Sequence, residues 1–316
     1  MGSIRLILRA AVWCGLSAVL FAGVAVARER IEKGDIVVTQ ESPRARQTQH
    51  SRTAGAAIFV LSPSGKVETI ARPPAVTGPR GVRMDRDGSF VFADIMAPGI
   101  GRLTRDGKVK WLHRGKPFKQ PKDVAVDRDG GYVVADFPGF DRKTGAQIVK
   151  ISPAGKISIV YRGAPLVWPH GIAVDNDGNY IIADHVCCIY RLTPGGKITL
   201  VAKGPPLIAP QDVKVDSDGN YIATDIGAVL DSHGRIDMAR SRNPGKLLRV
   251  SPSGNVDVIA RMFRTRLRAV ALAPDHGYLV VDMTHNAVHH CEPNGSCTKL
   301  HEGAPFMEPS GVAVAE

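Results

Sequence analysis

Short apolar runs alternate with compact polar turns along most of the chain, and one arrangement of them recurs. Its clearest copy is Gly171-Ile-Ala-Val-Asp-Asn-Asp-Gly-Asn-Tyr-Ile-Ile-Ala-Asp184: an apolar run, an Asp-x-Asp-Gly turn, and a second apolar run that ends in an acid. Copies start at Gly81, Asp123, Gly171 and Asp212, with weaker ones at Ala269 and Gly311, spaced 41 to 57 residues apart. Self-similarity at that period marks a solenoid or a propeller. In the third unit two more runs follow, at 189–192 and 197–201, separated by Pro-Gly-Gly. Runs of this length, β-branched and aromatic, with turn residues between them and no 3.6-residue period, predict four antiparallel strands per unit, A to D.

Five units are complete, and the sixth stops after one strand at Glu316. The three strands it lacks are predicted at the other end of the chain, at 36–39, 56–61 and 66–70. Joining them to the last strand closes a ring and removes the free sheet edge of an open array. The expected fold is therefore all-β: a six-bladed β-propeller of four-stranded antiparallel blades, closed by the C-terminal strand plus three N-terminal strands, in one domain over 28–316.

The strings Trp168-Pro169-His170-Gly171-Ile172-Ala173-Val174-Asp175 and Ile189-Tyr190-Arg191-Leu192 resemble the NHL-repeat and streptogramin (virginiamycin B) lyase-like six-bladed propellers. The resemblance runs over about 31–316. It implies the fold, whereas function varies widely on such scaffolds. In the lyases a histidine after Pro and an acid at the end of strand B occupy matching places, so the resemblance implies a catalytic His170–Asp184 pair assisted by a divalent metal. This chain departs from them in ending that strand Ala-Asp where they have Phe-Thr-Glu. Other blades here also end in Asp, which fits an acid that caps the following loop. His185 and His285 follow strand-B acids and, with His170, form a candidate metal set. The carboxylates that calcium-dependent gluconolactonase-like propellers place at the mouth are absent.

In a blade, A–B and C–D turns share one face, while B–C and D–A connections share the other. The A–B turns are tight and lack the further ligands that a calcium loop needs. The long insertions, 40–55, 137–145 and 226–245, are all B–C loops, and long loops on one side of a rigid scaffold are where binding is expected. The D–A loops are rich in Lys and Arg and follow a formula, as in Arg114-Gly-Lys-Pro-Phe-Lys-Gln-Pro121 and Arg162-Gly-Ala-Pro-Leu-Val-Trp-Pro169. The residue after each formula points at the axis: Arg80, Lys122, His170, Gln211, Arg268 and Ser310. Three cations and a histidine around a funnel suit a carboxylate, phosphate or sulfate. The loop at 261–268 drops the prolines and is expected to be the most mobile.

Composition adds three constraints. With 44% hydrophobic residues the chain can bury a core, and a net charge of +11 favours an anionic partner. Arg5 and Arg9 precede an apolar segment ending in Ala25 and Ala27, which reads as a cleaved signal peptide over 1–27 and a periplasmic or secreted location without a later membrane span. Cys291 and Cys297 flank a C–D turn and suit a disulfide, while Cys187 and Cys188 admit a vicinal disulfide, a soft-metal site or free thiols. Basic loops without interleaved aromatics argue against nucleic acid. The expectation is a monomeric exported protein that binds an anionic small molecule, envelope polymer or protein on its basic face; the alternative is a lyase or hydrolase built on His170 and Asp184.

Overall fold

The computed structural model describes residues 31–42, 55–137, 145–230, 236–237 and 244–316. The expected signal segment and most of the three long B–C loops lie outside the described residues. Six four-stranded antiparallel sheets form the ring. The closing blade has the order β26 (Pro309–Val314), β1 (Ile36–Gln40), β2 (Ala57–Leu61), β3 (Val67–Ala71). Its register pairs Ile36 with Val314 and Thr39 with Gly311, so the two ends of the chain share one sheet. The first blade is β4 (Pro79–Met84), β5 (Phe90–Asp94), β6 (Gly99–Leu103) and β7 (Val109–Arg114). The second is β8 (Pro121–Val126), β9 (Tyr132–Asp136), β10 (Gln147–Ile151) and β11 (Ile157–Arg162). The third is β12 (Pro169–Val174), β13 (Tyr180–Asp184), β14 (Cys188–Leu192) and β15 (Ile198–Lys203). In the fourth, β16 (Pro210–Val215) and β17 (Tyr221–Asp225) lead through a short hairpin, β18 (Val229–Leu230) and β19 (Ile236–Asp237), to β20 (Gly245–Val250) and β21 (Val256–Met262). The fifth is β22 (Leu267–Leu272), β23 (Tyr278–Asp282), β24 (Ala287–Cys291) and β25 (Cys297–Glu302). Among the described residues no helix is long and apolar enough to cross a membrane.

Burial explains the sequence pattern. Strand B of every blade is buried along its whole length because neighbouring blades cover both faces, hence its unbroken apolar run. Strand D is largely half-buried or exposed, alternating regularly in β7, because it lies at the rim. Blade-to-blade packing is apolar: Ile181, Ala183 and Ile189 of the third blade meet Val213, Tyr221 and Leu248 of the fourth. A polar clasp repeats outside this core. Arg191 and Arg249 on strand C donate to Tyr221 and Tyr278, which open strand B of the next blade, at 2.5 and 3.0 Å. Arg102 does the same to Tyr132. The arginine of the Ile-x-Arg-Leu string therefore fastens blades together.

Two local features hold the strands in place. In the A–B turns Asp85 and Asp127 accept from the next backbone N–H at 2.7 Å, and Gly88 and Gly130 take φ of 77° and 85°, where a side chain would be strained. On the innermost strands a Cβ on Gly171 would lie 2.6 Å from Asp212 Cα, so glycine lets adjacent blades approach at the axis. Two cysteine pairs lie close. Cys291 and Cys297 are register partners across β24–β25 with Cα atoms 4.0 Å apart, and Cys187 lies beside Cys188 at the start of β14.

Candidate functional site

The six mouth positions converge because of a defect repeated in every blade. Pro169 pairs with Asp184 and Gly171 with Ala183, so His170 is an extra residue with no partner on strand B. The same slip leaves out Lys122, Gln211, Arg268 and Ser310, and a wider one spans Arg80 and Gly81. A β-bulge re-aims the side chain of its extra residue. Here each bulge turns one side chain toward the axis, and all six line a single cavity. The room left among them is about 10 Å³, about enough for one water. The ring therefore leaves no room for a larger molecule among these side chains.

Contacts at the ring are specific. His170 Nδ1 lies 3.0 Å from Gln211 Oε1, and the Gln211 amide group contacts His185 Nδ1. His170 Nδ1 also faces an Arg80 nitrogen at 3.4 Å; of the two neighbours the Gln211 oxygen is the nearer, and donation to it places the proton on Nδ1 and the lone pair on Nε2. That Nε2 is buried and has no hydrogen-bond partner. The imidazoles of His170 and His185 stack at 4.8 Å, and Trp168 meets both edge-on. Arg268 binds Glu41 at 2.8 Å and Arg80 reaches the same carboxylate at 3.7 Å. Lys122, 5% exposed, donates to the Gln120 amide oxygen at 3.0 Å and stands 5.3 Å over the Phe137 ring. Ser310 Oγ donates to backbone carbonyls, Thr39 and Pro79, at 3.3 Å.

The electrostatics follow from burial and like charge. Burial first, then Arg80, hold the Lys122 ammonium well below the usual lysine value. Burial, Arg80, His185 and Lys122 hold His170 well below the usual histidine value, and His185 is lowered to about 3 by burial, Arg268 and Arg80. Both histidines are therefore neutral near pH 7. Deeper along the same strands, Arg83 bridges Asp123 and Asp212, the latter at 2.8 Å, and Lys214 binds Asp212 at 2.7 Å. There burial works against the Arg83 charge, and the two aspartates outweigh it and raise its pKa.

Other candidate residues are placed differently from the sequence expectation. The Asp184 carboxylate accepts from the backbone N–H groups of Val167 at 2.7 Å, Trp168 at 3.1 Å and Val186 at 3.3 Å, and His170 bonds Gln211 instead. Asp184 is thus a loop cap, as are Asp94, Asp136 and Asp225. The expected metal set is also divided: His170 and His185 are at the mouth, whereas His285 Nδ1 contacts Asp282 at 2.6 Å. Among the described residues no three His, Cys, Asp or Glu side chains could together hold a metal. The donor set at the mouth, two neutral imidazoles and a Glu41 carboxylate already held by Arg80 and Arg268, with Lys122 beside them, does not fit a divalent cation.

Glu41, Phe137 and Met283 were not foreseen at the mouth, where they join His185, which the sequence reading had grouped with His170. All four occupy one register, the residue after the end of strand B, once Gln40 is recognised as standing where other blades have Asp. Gln40 does a similar job, accepting from Met307 N–H at 2.6 Å. Reading that register around the ring finds this second tier.

The fold and site define a six-bladed β-propeller whose axial mouth gathers cations and neutral histidines. The sequence matches no protein-family model and no curated protein. Solved propellers are similar in structure. In a nidogen/laminin complex the matching chain has 16% identity and a TM-score of 0.67, with 90% of this chain and 99% of that one covered. A streptogramin B lyase has 17% identity and a TM-score of 0.59, covering 90% and 89%. A gluconolactonase from Xanthomonas campestris has 15% identity and a TM-score of 0.57, covering 81% and 85%. At these identities the likeness is one of fold.

Proposed function

We propose that this protein is an exported propeller, periplasmic or secreted, that binds an anionic small molecule or an acidic partner at its axial mouth. The observation that carries this reading is Lys122. Its buried ammonium rests on an amide oxygen and a phenyl ring, and burial, Arg80 and Arg268 lower its pKa against the opposing carboxylates of Glu41 and Asp136. Burying a cation among like charges is costly, and an incoming anion relieves that cost. His170 adds an acceptor, because a neutral imidazole with a bare Nε2 takes a hydrogen bond from a hydroxyl or a protonated oxygen on the ligand. The nidogen/laminin neighbour favours a protein partner as one form of this reading. The two close cysteine pairs suit oxidation in such a compartment.

The second reading is a lyase or hydrolase, favoured by the unpartnered Nε2 of His170 in the cavity and by the streptogramin B lyase neighbour. In it His170, oriented by Gln211 rather than by Asp184, is the general base. Calorimetric titration with phosphate and with citrate separates the two. Binding that is lost in Lys122→Gln and Arg268→Gln, with no turnover of lactone or cyclic depsipeptide substrates by the wild type, supports the binder. Turnover that disappears in His170→Ala while affinity persists supports the enzyme.

A further inference from the structure

The junctions between blades are filled by one repeated device, and one junction lacks it. Four residues before each mouth position the D–A loop places an apolar side chain: Val76, Phe118, Leu166, Leu207 and Phe306, each at most 4% exposed. Each packs on the next blade, where the middle of strand C is also apolar or small. Phe306 meets Phe59 at 5.2 Å, and Phe118, Leu166 and Leu207 share clusters with Val149, Tyr190 and Leu248.

The loop entering the fifth blade breaks this pattern. The end of strand D is Arg114 in the first blade and Met262 in the fourth, by their pairing with Gly99 and Gly245. From Arg114 to the mouth residue Lys122 the chain advances eight residues, and from Met262 to Arg268 it advances six. Arg264 stands at the plug position with φ 58°, and Phe263 is 70% exposed. Strand C of the receiving blade has changed with it. In the register that holds Phe59, Val149, Tyr190 and Leu248 it carries His289, 91% buried by its 9% exposure, with Nε2 lacking any hydrogen-bond partner.

The vacated space is part of an open groove of about 600 Å³, within the range of small-molecule sites, lined by His289, Phe263, Arg261, His285 and a Lys299 that is paired with Glu302. Its His285 is held by Asp282, whose Oδ2 is turned to the imidazole at 2.6 Å, while the shortened loop gives that carboxylate the Arg266 amide at 3.3 Å. Loss of the plug alone would leave an apolar hole. Replacement of the apolar floor by a buried imidazole in the same junction gives a hole that asks for a polar atom.

We propose that this junction is a second binding site, for a small aromatic acid whose ring takes the space that a Phe or Leu fills elsewhere and whose polar group meets His289 Nε2 and the Arg261 guanidinium. Phe263 supplies an aromatic face beside that ring. The site is independent of the mouth.

The test is calorimetric titration with 4-hydroxybenzoate, alongside NMR of the histidine ring signals. His289→Leu restores the residue type that Leu248 supplies in the fourth blade, so it keeps the fold. The expected result is saturable binding that shifts the His289 ring resonance, weakens at least tenfold in His289→Leu, and is unchanged in Lys122→Gln. Absence of saturable binding, equal affinity in His289→Leu, or loss in Lys122→Gln overturns the proposal.

Discussion

Two tiers of charge lie a few residues apart on the same inner strands, and they are organised in opposite ways. At mid-channel Arg83 and Lys214 face Asp123 and Asp212, each charge has an opposite partner, and backbone N–H groups of Ile172 and Val270 complete the carboxylates at 3.0 Å. At the mouth Lys122 faces an amide, a ring and two arginines that share a single carboxylate, Glu41, so cations outnumber acids there. Balanced charge closes the axis and unites blades distant in sequence. Excess positive charge at the mouth is costly to bury in the free protein, and on the proposed reading an anion relieves that cost. The difference sets the paired groups, which hold the fold, apart from those to which the proposal assigns binding.

The largest expected effect tests the balanced tier. Asp212→Ala leaves Arg83 and Lys214 buried without their shared carboxylate and should lower unfolding free energy by about 3–5 kcal/mol in urea denaturation. A loss no greater than that of a surface substitution would erase the contrast.

Next comes pH. Histidines whose folded pKa lies below the unfolded value leave the unfolded chain with more bound protons, so stability falls as pH drops. For His185 the window runs from 6.5 down to about 3, with a slope of about 1.4 kcal/mol per pH unit once the unfolded histidine is protonated. His170 adds in the same direction. Melting temperature should decline below pH 6.5, and His185→Gln should blunt the decline.

A smaller effect sharpens the other side. Lys122→Gln should weaken phosphate or citrate at least tenfold, about 1.4 kcal/mol, with the melting temperature unchanged or raised. Smallest is Ser310→Ala, whose buried hydroxyl is turned to carbonyls; it should lower stability by about 1 kcal/mol, the worth of one hydrogen bond, and change affinity less than twofold.

Much of this architecture was legible in the sequence. Four Asp-x-Asp-Gly units together with the weaker copies at Ala269 and Gly311 set the blade count, and the one-plus-three closure follows from a lone strand at Gly311 matched by three near the start. The six mouth positions were also legible, five from the proline that precedes them and Arg268 from its place just before the weaker repeat copy at Ala269. Their partners were not. That His170 is the unpaired residue of a bulge, and bonds Gln211 rather than Asp184, depends on counting residues on both strands of a pair. Glu41 was hidden because Gln40 replaces the aspartate that marks its register elsewhere. At the plugless junction the missing prolines were visible, whereas the opposing His289 required the strand-C alignment to be known.

The most direct test of the account is the titration of the Lys122 side chain itself, followed by NMR in the free protein and at saturating phosphate. The account predicts an ammonium that loses its proton well below the usual lysine range when free and titrates upward when phosphate is bound. A Lys122 that titrates at the ordinary lysine value in both states would contradict it.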